Sequence, residues 1–146
     1  MDETYDRIRS ARSDRYRYIR NFHPELPYAQ YINYMDEMPI MKEWRRLAFA
    51  GQLNETQKLF WSRTKPKEEF YDCQTDPENV KNLVDSVALQ SELKRHREAL
   101  DKWLINTKDL GGIPERELIK QGIVKDVLSS EYEARVKLHP KTSPIP

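Results

Sequence analysis

Apolar positions recur with two different periods along this chain, and the switches between them outline its elements. Residues 5–21 read as a β-hairpin: Arg7–Ala11 and Arg15–Arg20 flank Ser13-Asp14, a tight turn. In the second strand Tyr16 and Tyr18 fall on one face, with Arg15, Arg17 and Ile19 on the other. Two prolines, Pro24 and Pro27, then interrupt regular structure. A short helical turn is predicted between Ala29 and Asp36, and Pro39 opens the next helix in its first turn. That helix carries Met41, Trp44, Leu47 and Ala48 at helical spacing and stops at Gly51, a natural C-cap. Asn54 opens another short helix bearing Leu59, Phe60 and Trp61, and Glu69–Cys73 reads as a third strand.

The clearest periodicity lies in residues 86–107. Leu89, Leu93, Leu100, Trp103 and Leu104 keep one face apolar, Arg97 occupies the intervening slot, and Leu93, Leu100 and Trp103 are expected to point inward. Asp85 or Ser86 is the expected cap, and Gly111-Gly112 follows the end. A weaker pattern over residues 113–138 predicts two short helices, and the last eight residues, with three prolines, read as a flexible tail. The fold class is therefore α+β: a small antiparallel sheet packed against a long C-terminal helix, with helical insertions over residues 29–63. No repeat or low-complexity tract interrupts it.

Composition narrows what such a domain does. With 146 residues, 34% charged and a mean hydropathy of −0.90, the chain suits one small domain with a thin core. A net charge of +1 gives no global attraction to nucleic acid or anionic membrane. The six arginines between Arg7 and Arg20, interleaved with Tyr16 and Tyr18, read alone as a nucleic-acid ribbon, but acidic residues downstream offset them. One cysteine excludes an intrachain disulfide and a cysteine-rich zinc site. No apolar run reaches the ~20 residues of a membrane span, and the N-terminus lacks a signal-peptide pattern. Asn54-Glu55-Thr56 fits a glycosylation sequon, a pattern common by chance.

The most informative string is Glu68-Glu69-Phe70-Tyr71-Asp72-Cys73-Gln74-Thr75-Asp76-Pro77-Glu78-Asn79-Val80-Lys81-Asn82-Leu83. It resembles the "E-L-Y-D-x-x-x-D-P-x-E-x-x-N-L" signature near the C-terminus of sulfatases, the alkaline-phosphatase-like hydrolases of sulfate esters and sulfamates. Arg7-Ile8-Arg9 with Tyr16-Arg17-Tyr18-Ile19-Arg20-Asn21 is similar to "R-x-V-R … x-Y-K-Y-I-x-N" of the same family. Pro24–Tyr28, Met41–Trp44, Gly51–Leu53 and Lys65–Glu69 follow in the order seen in the branch related to heparan N-sulfatase. The resemblance covers roughly residues 2–117, leaving 118–146 as a peripheral helical extension and tail.

What the resemblance implies is a C-terminal subdomain that forms scaffold and one wall of a substrate pocket and is not catalytic alone. Sulfatases use a formylglycine made within C/S-x-P-x-R and a calcium held by Asp and Asn. Cys73, followed by Gln74, Thr75 and Asp76, does not match that motif. No catalytic or metal residue is therefore assigned, and calcium and formylglycine are expected in an N-terminal catalytic domain, this chain's implied partner. In related sulfatases the segment leading into the first strand runs beside the cleft. The implied substrate-binding residues are Asp2, Glu3 and Arg7, whose carboxylates suit sugar hydroxyls or an amine and whose guanidinium suits an anion. The implied substrate is a sulfated sugar, and whole enzymes of this type are periplasmic, secreted or lysosomal. The rival reading is a free-standing interaction module, or a truncated product without activity.

Overall fold

The period-two pattern pairs as it reads. In the computed structural model, which describes residues 4–124, strands β1 (Ile8–Arg12), β2 (Tyr16–Asn21) and β3 (Glu68–Asp72) form one antiparallel sheet in the order β1-β2-β3. Tyr18 faces Ala11 on one side and Phe70 on the other. This register puts Ala11, Tyr16, Tyr18 and Phe70 on one face and Ile8, Arg17, Ile19, Glu69 and Tyr71 on the opposite face.

Helix α4 (Gln90–Thr107), preceded by a 3-10 turn at Val87–Leu89, covers the first face. Its Leu93 and Leu100 close the core with Tyr18 and Phe70, and Ala11, Tyr16, Leu83, Val84, Leu89 and Leu104 pack around them. Two expectations fail on this helix. Trp103 is 48% exposed rather than inward. At 100° per residue it sits about 60° to the side of Leu100, off the stripe that meets the sheet. Neither Asp85 nor Ser86 caps the helix: Ser86 starts the 3-10 turn without a side-chain bond, and Leu89 stands at the N-cap of α4. The stop also differs. Lys108, not a glycine, takes the left-handed conformation (φ 50), so that its amide and that of Asp109 donate to Ile105 and Leu104 in a Schellman arrangement.

The turn after β3 has an edge to protect. Asn82 lies alongside the strand, its Oδ1 accepting from the Phe70 amide at 2.9 Å and its Nδ2 donating to the Glu68 carbonyl at 3.1 Å. The Leu83 amide donates to the Phe70 carbonyl at 2.7 Å. Asp76 holds the turn by accepting from the Val80 and Lys81 amides, with Asn79 in the left-handed region. The Asp-Pro…Asn-Leu string thus supplies the pairing that an open edge strand lacks.

Between β2 and β3 run α1 (Asn33–Glu37), α2 (Pro39–Phe49) and α3 (Glu55–Phe60). Pro39 stands in the first turn of α2, and Gly51 (φ 68) ends it, its amide and that of Gln52 donating to Ala48 and Leu47. Asn54 and Gln57 form a reciprocal capping box on α3. Trp44 stacks on Phe60 at 4.8 Å, with Trp61 edge-on to both.

The chain divides into two compact units, Met1–Asp109 and Leu110–Pro146. The described part of the second holds a 3-10 turn, Leu110–Gly112, and α5 (Glu115–Lys120), closed by Gly122 (φ 68). The expected second helix and tail lie outside the described residues. Among the described residues no helix is long and apolar enough to cross a membrane.

Candidate functional site

The segment leading into β1 is clamped at two points. The first is Lys65, whose side chain is fully buried and pairs with the Asp6 carboxylate. The Tyr28 ring lies 5.6 Å from its ammonium, and the Lys65 amide donates to the Pro24 carbonyl at 2.8 Å. A buried ammonium needs such a partner, so it fixes the segment to the loop after β2. The second point is Asp109, which the Lys108 turn delivers to the sheet edge. Arg7 donates to its Oδ2 through Nε at 3.2 Å and Nη2 at 2.8 Å, and Arg9 donates to Oδ1 at 2.8 Å. The Arg7 guanidinium also stacks over Phe22 at 3.8 Å.

Of the three residues implied for substrate binding, Arg7 is therefore turned to Asp109 and Phe22, while Asp2 and Glu3 lie outside the described residues. Around the same segment Tyr5 meets His23 edge-on at 5.0 Å, and His23 Nδ1 lies 3.1 Å from Glu25. The Glu25 carboxyl is held below its usual range, first by its own backbone amide and then by His23.

The open face of the sheet carries a buried carboxylate that the hydrophobic pattern did not reveal. Glu69 accepts from Asn21 Nδ2 at 2.6 Å and from Tyr28 on Oε1, and from Tyr71 at 2.5 Å on Oε2. Asn21 Nδ2 also donates to the Pro66 carbonyl at 2.7 Å, while its buried Oδ1 has no hydrogen-bond partner among the described residues. Burial, and then the bond to Glu69, push both phenols well above the usual tyrosine range, so they stay donors. This nest borders a cleft of about 790 Å³ between the sheet and α3. The only sequence sign was two polar residues, Asn21 and Glu69, on a face shared with Tyr71.

On the helix side Arg97 forks onto Glu68 at 2.9 and 2.5 Å, and Tyr18 donates to the same carboxylate. Arg20 bridges from the Tyr18 hydroxyl at 3.0 Å to Asp101 at 2.6 Å. Arg97 is the main cause that holds Glu68 below its usual range, while burial first and Glu68 second raise Tyr18. With Arg15 on Asp72 at 2.7 Å, four of the six hairpin arginines (Arg7, Arg9, Arg15 and Arg20) hold carboxylates.

No hydrolytic constellation forms among the described residues. Cys73 lies 4.0 Å from Asn79 Oδ1 at the end of β3. His96 is buried between Tyr16 and Phe70, with Nδ1 on the Glu92 carbonyl at 2.9 Å and Nε2 3.2 Å from Ser13 Oγ. Ser13 Oγ also accepts from the Tyr16 amide, so this contact fastens the hairpin turn to α4. His139 lies outside the described residues. Among the described residues no group of three or more His, Cys, Asp or Glu side chains could hold a metal ion.

No family model matches the chain. Over 121 residues it is 41% identical to the ulvan-active sulfatase of Formosa agariphila, a match that covers 83% of this chain and 20% of that protein. The chain thus spans about a fifth of the length of the curated relative it matches.

Proposed function

The chain is sulfatase-related, matching the C-terminal part of a much longer sulfatase, and on that premise we propose that it works as the C-terminal subdomain of a sulfatase-type hydrolase, forming scaffold and one wall of the substrate pocket without being catalytic alone. The observation that carries this reading is the extent of the match: 83% of this chain answers to 20% of a sulfatase. In this reading its partner is an N-terminal, alkaline-phosphatase-like catalytic domain, which supplies the formylglycine and calcium. The substrate is a sulfate ester or sulfamate on a sugar. A sulfated polysaccharide suits the name of the relative.

The residues of this chain then perform positioning. Lys65–Asp6 and the Arg7–Asp109–Arg9 bridge hold the segment that leads into β1 on a rigid sheet and loop, as a binding wall requires. Asp2 and Glu3, at the head of that segment, are the groups assigned to sugar hydroxyls or an amine. Arg7 acts chiefly through Asp109 as a positioning residue. Exposed apolar side chains on and before α4, with Ile105 at 75% and Val87 at 90%, support a surface that a larger protein covers.

The test is sulfate release from an aryl sulfate and from sulfated sugars. The chain alone is expected to give none above a boiled control, with or without calcium. A chimera in which it replaces the matching part of the Formosa enzyme is expected to turn over. Calcium-dependent turnover by the chain alone overturns the proposal, as does a folded, calcium-loaded chimera that releases no sulfate.

A further inference from the structure

A second cleft, of about 490 Å³, is lined by the loop after β2, α2 and its link to α3, α3, and the segment Trp61–Arg63 that follows α3. Among the described residues its charged lining consists of Arg45, Lys58 and Arg63, and no carboxylate lines it. Arg45 is held from outside the cleft by Asp36 at 2.5 Å, and Lys58 by Glu55 at 2.6 Å. Arg63 has neither a hydrogen bond nor an ion pair among the described residues. The apolar part of the wall includes Trp61, Leu53 and the exposed Phe49. The Trp61 ring has the Arg45 guanidinium 5.0 Å from its centroid, and its edge contacts with Trp44 and Phe60 hold it in place. Cations gathered around a concavity with low-dielectric walls focus a positive potential there. A fixed indole offers a flat apolar surface at little entropic cost.

We infer that this cleft binds a sulfated stretch of a polysaccharide, with Arg63, Lys58 and Arg45 taking sulfate groups and Trp61 with Phe49 taking the apolar face of a sugar ring. A guanidinium presents paired N–H donors that match two oxygens of an oxyanion, and Arg63 has its donors available. The position fits a polymer. Pro27 and Ala29 of the lining belong to the same loop whose Gln30 side chain donates to the Tyr5 carbonyl at 3.4 Å, beside the segment assigned to the pocket wall. A polysaccharide extends past the reacting group and carries further sulfates with it. The inference rests on the proposed function for its ligand class, but it assigns a holding site away from the chemistry. Single-stranded nucleic acid would meet the same cations, yet the lining offers one indole and one phenyl ring rather than a succession of stacking platforms.

The experiment measures binding of the full 146-residue chain by isothermal titration and affinity electrophoresis. The probes are ulvan, chemically desulfated ulvan and a single-stranded DNA, at two salt concentrations. Wild type is expected to bind ulvan, more weakly at high salt, and to lose it on desulfation. Arg63→Glu is expected to weaken binding about five- to tenfold, the scale of losing and then opposing one exposed charge contact, and Lys58→Ala about two- to fivefold. Both side chains are exposed, and far-UV circular dichroism checks that the variants fold. An unchanged Kd in both variants, equal binding of the desulfated polymer, or tighter binding of DNA overturns the inference. Because binding is read without turnover, an inactive chimera overturns the proposed function while leaving this measurement to decide the cleft. In an active chimera, Arg63→Glu is expected to leave aryl sulfate hydrolysis unchanged and to raise KM for ulvan.

Discussion

Leu100→Ala and Trp103→Ala, two substitutions on one helix, separate the structure from the hydrophobic pattern most sharply. Leu100 is 1% exposed and closes the core against Tyr18, Phe70 and Leu93. Truncation removes about three methylene equivalents, roughly 2.4 kcal/mol of transfer free energy. The walls of the resulting void are pinned: Phe70 stacks on Tyr16 at 5.2 Å, and the Tyr18 hydroxyl is tied to Glu68 and Arg20. They cannot collapse far, so a cavity term adds to the transfer term and the loss should reach about 3–4 kcal/mol, within the usual 2–5 for buried leucine. Trp103, the larger side chain but 48% exposed, should cost under about 1 kcal/mol in the isolated chain. Urea denaturation followed by far-UV circular dichroism reads both. With a slope of about 2 kcal/mol/M, Leu100→Ala should lower the midpoint by about 1.5–2 M. A loss under about 1 kcal/mol for Leu100→Ala, or an equal loss for Trp103→Ala, refutes this core.

Further expectations bear on charge, backbone and site. Asp72 is held down to about 2 by Arg15, so the stability it lends is complete above its unfolded value of about 3.9 and is lost as pH falls toward about 2. Asp72→Asn should flatten that part of the pH dependence of thermal melting, and an unaltered profile counts against the pair. Lys108→Gly should stabilise the chain by about 0.5–1 kcal/mol in urea titration, because the left-handed turn no longer strains a side chain. Arg7→Ala should cost about 1–3 kcal/mol through the lost fork on Asp109, and Arg7→Lys should recover only part of it in thermal melts. In an active chimera, Asp2→Ala or Glu3→Ala should raise KM for a sulfated sugar with kcat kept, whereas a fall in kcat alone would place these groups in the transition state instead.

Local rules made much of this molecule legible from its residues. Alternation set the Tyr16/Tyr18 face, Pro39 and Gly51 bounded α2, Asn54 opened α3, and the leucine stripe of residues 89–104 identified the covering helix, because each depends on neighbours a few residues apart. The Asp-Pro…Asn-Leu string pointed to a sulfatase before its role as an edge cover for β3 was visible. Tertiary structure alone decided what depends on distant partners. Trp103 has the residue type of a core position, but the line of contact with the sheet passes it by. Glu69 reads as a surface charge on its strand, yet three donors from Asn21, Tyr28 and Tyr71 converge on it. Lys65 is buried because Asp6, fifty-nine positions away, neutralises it, and Arg7 is committed because a left-handed lysine brings Asp109 across one hundred and two. Burial of a charge is settled by the partner that the fold delivers, and periodicity carries no record of that partner.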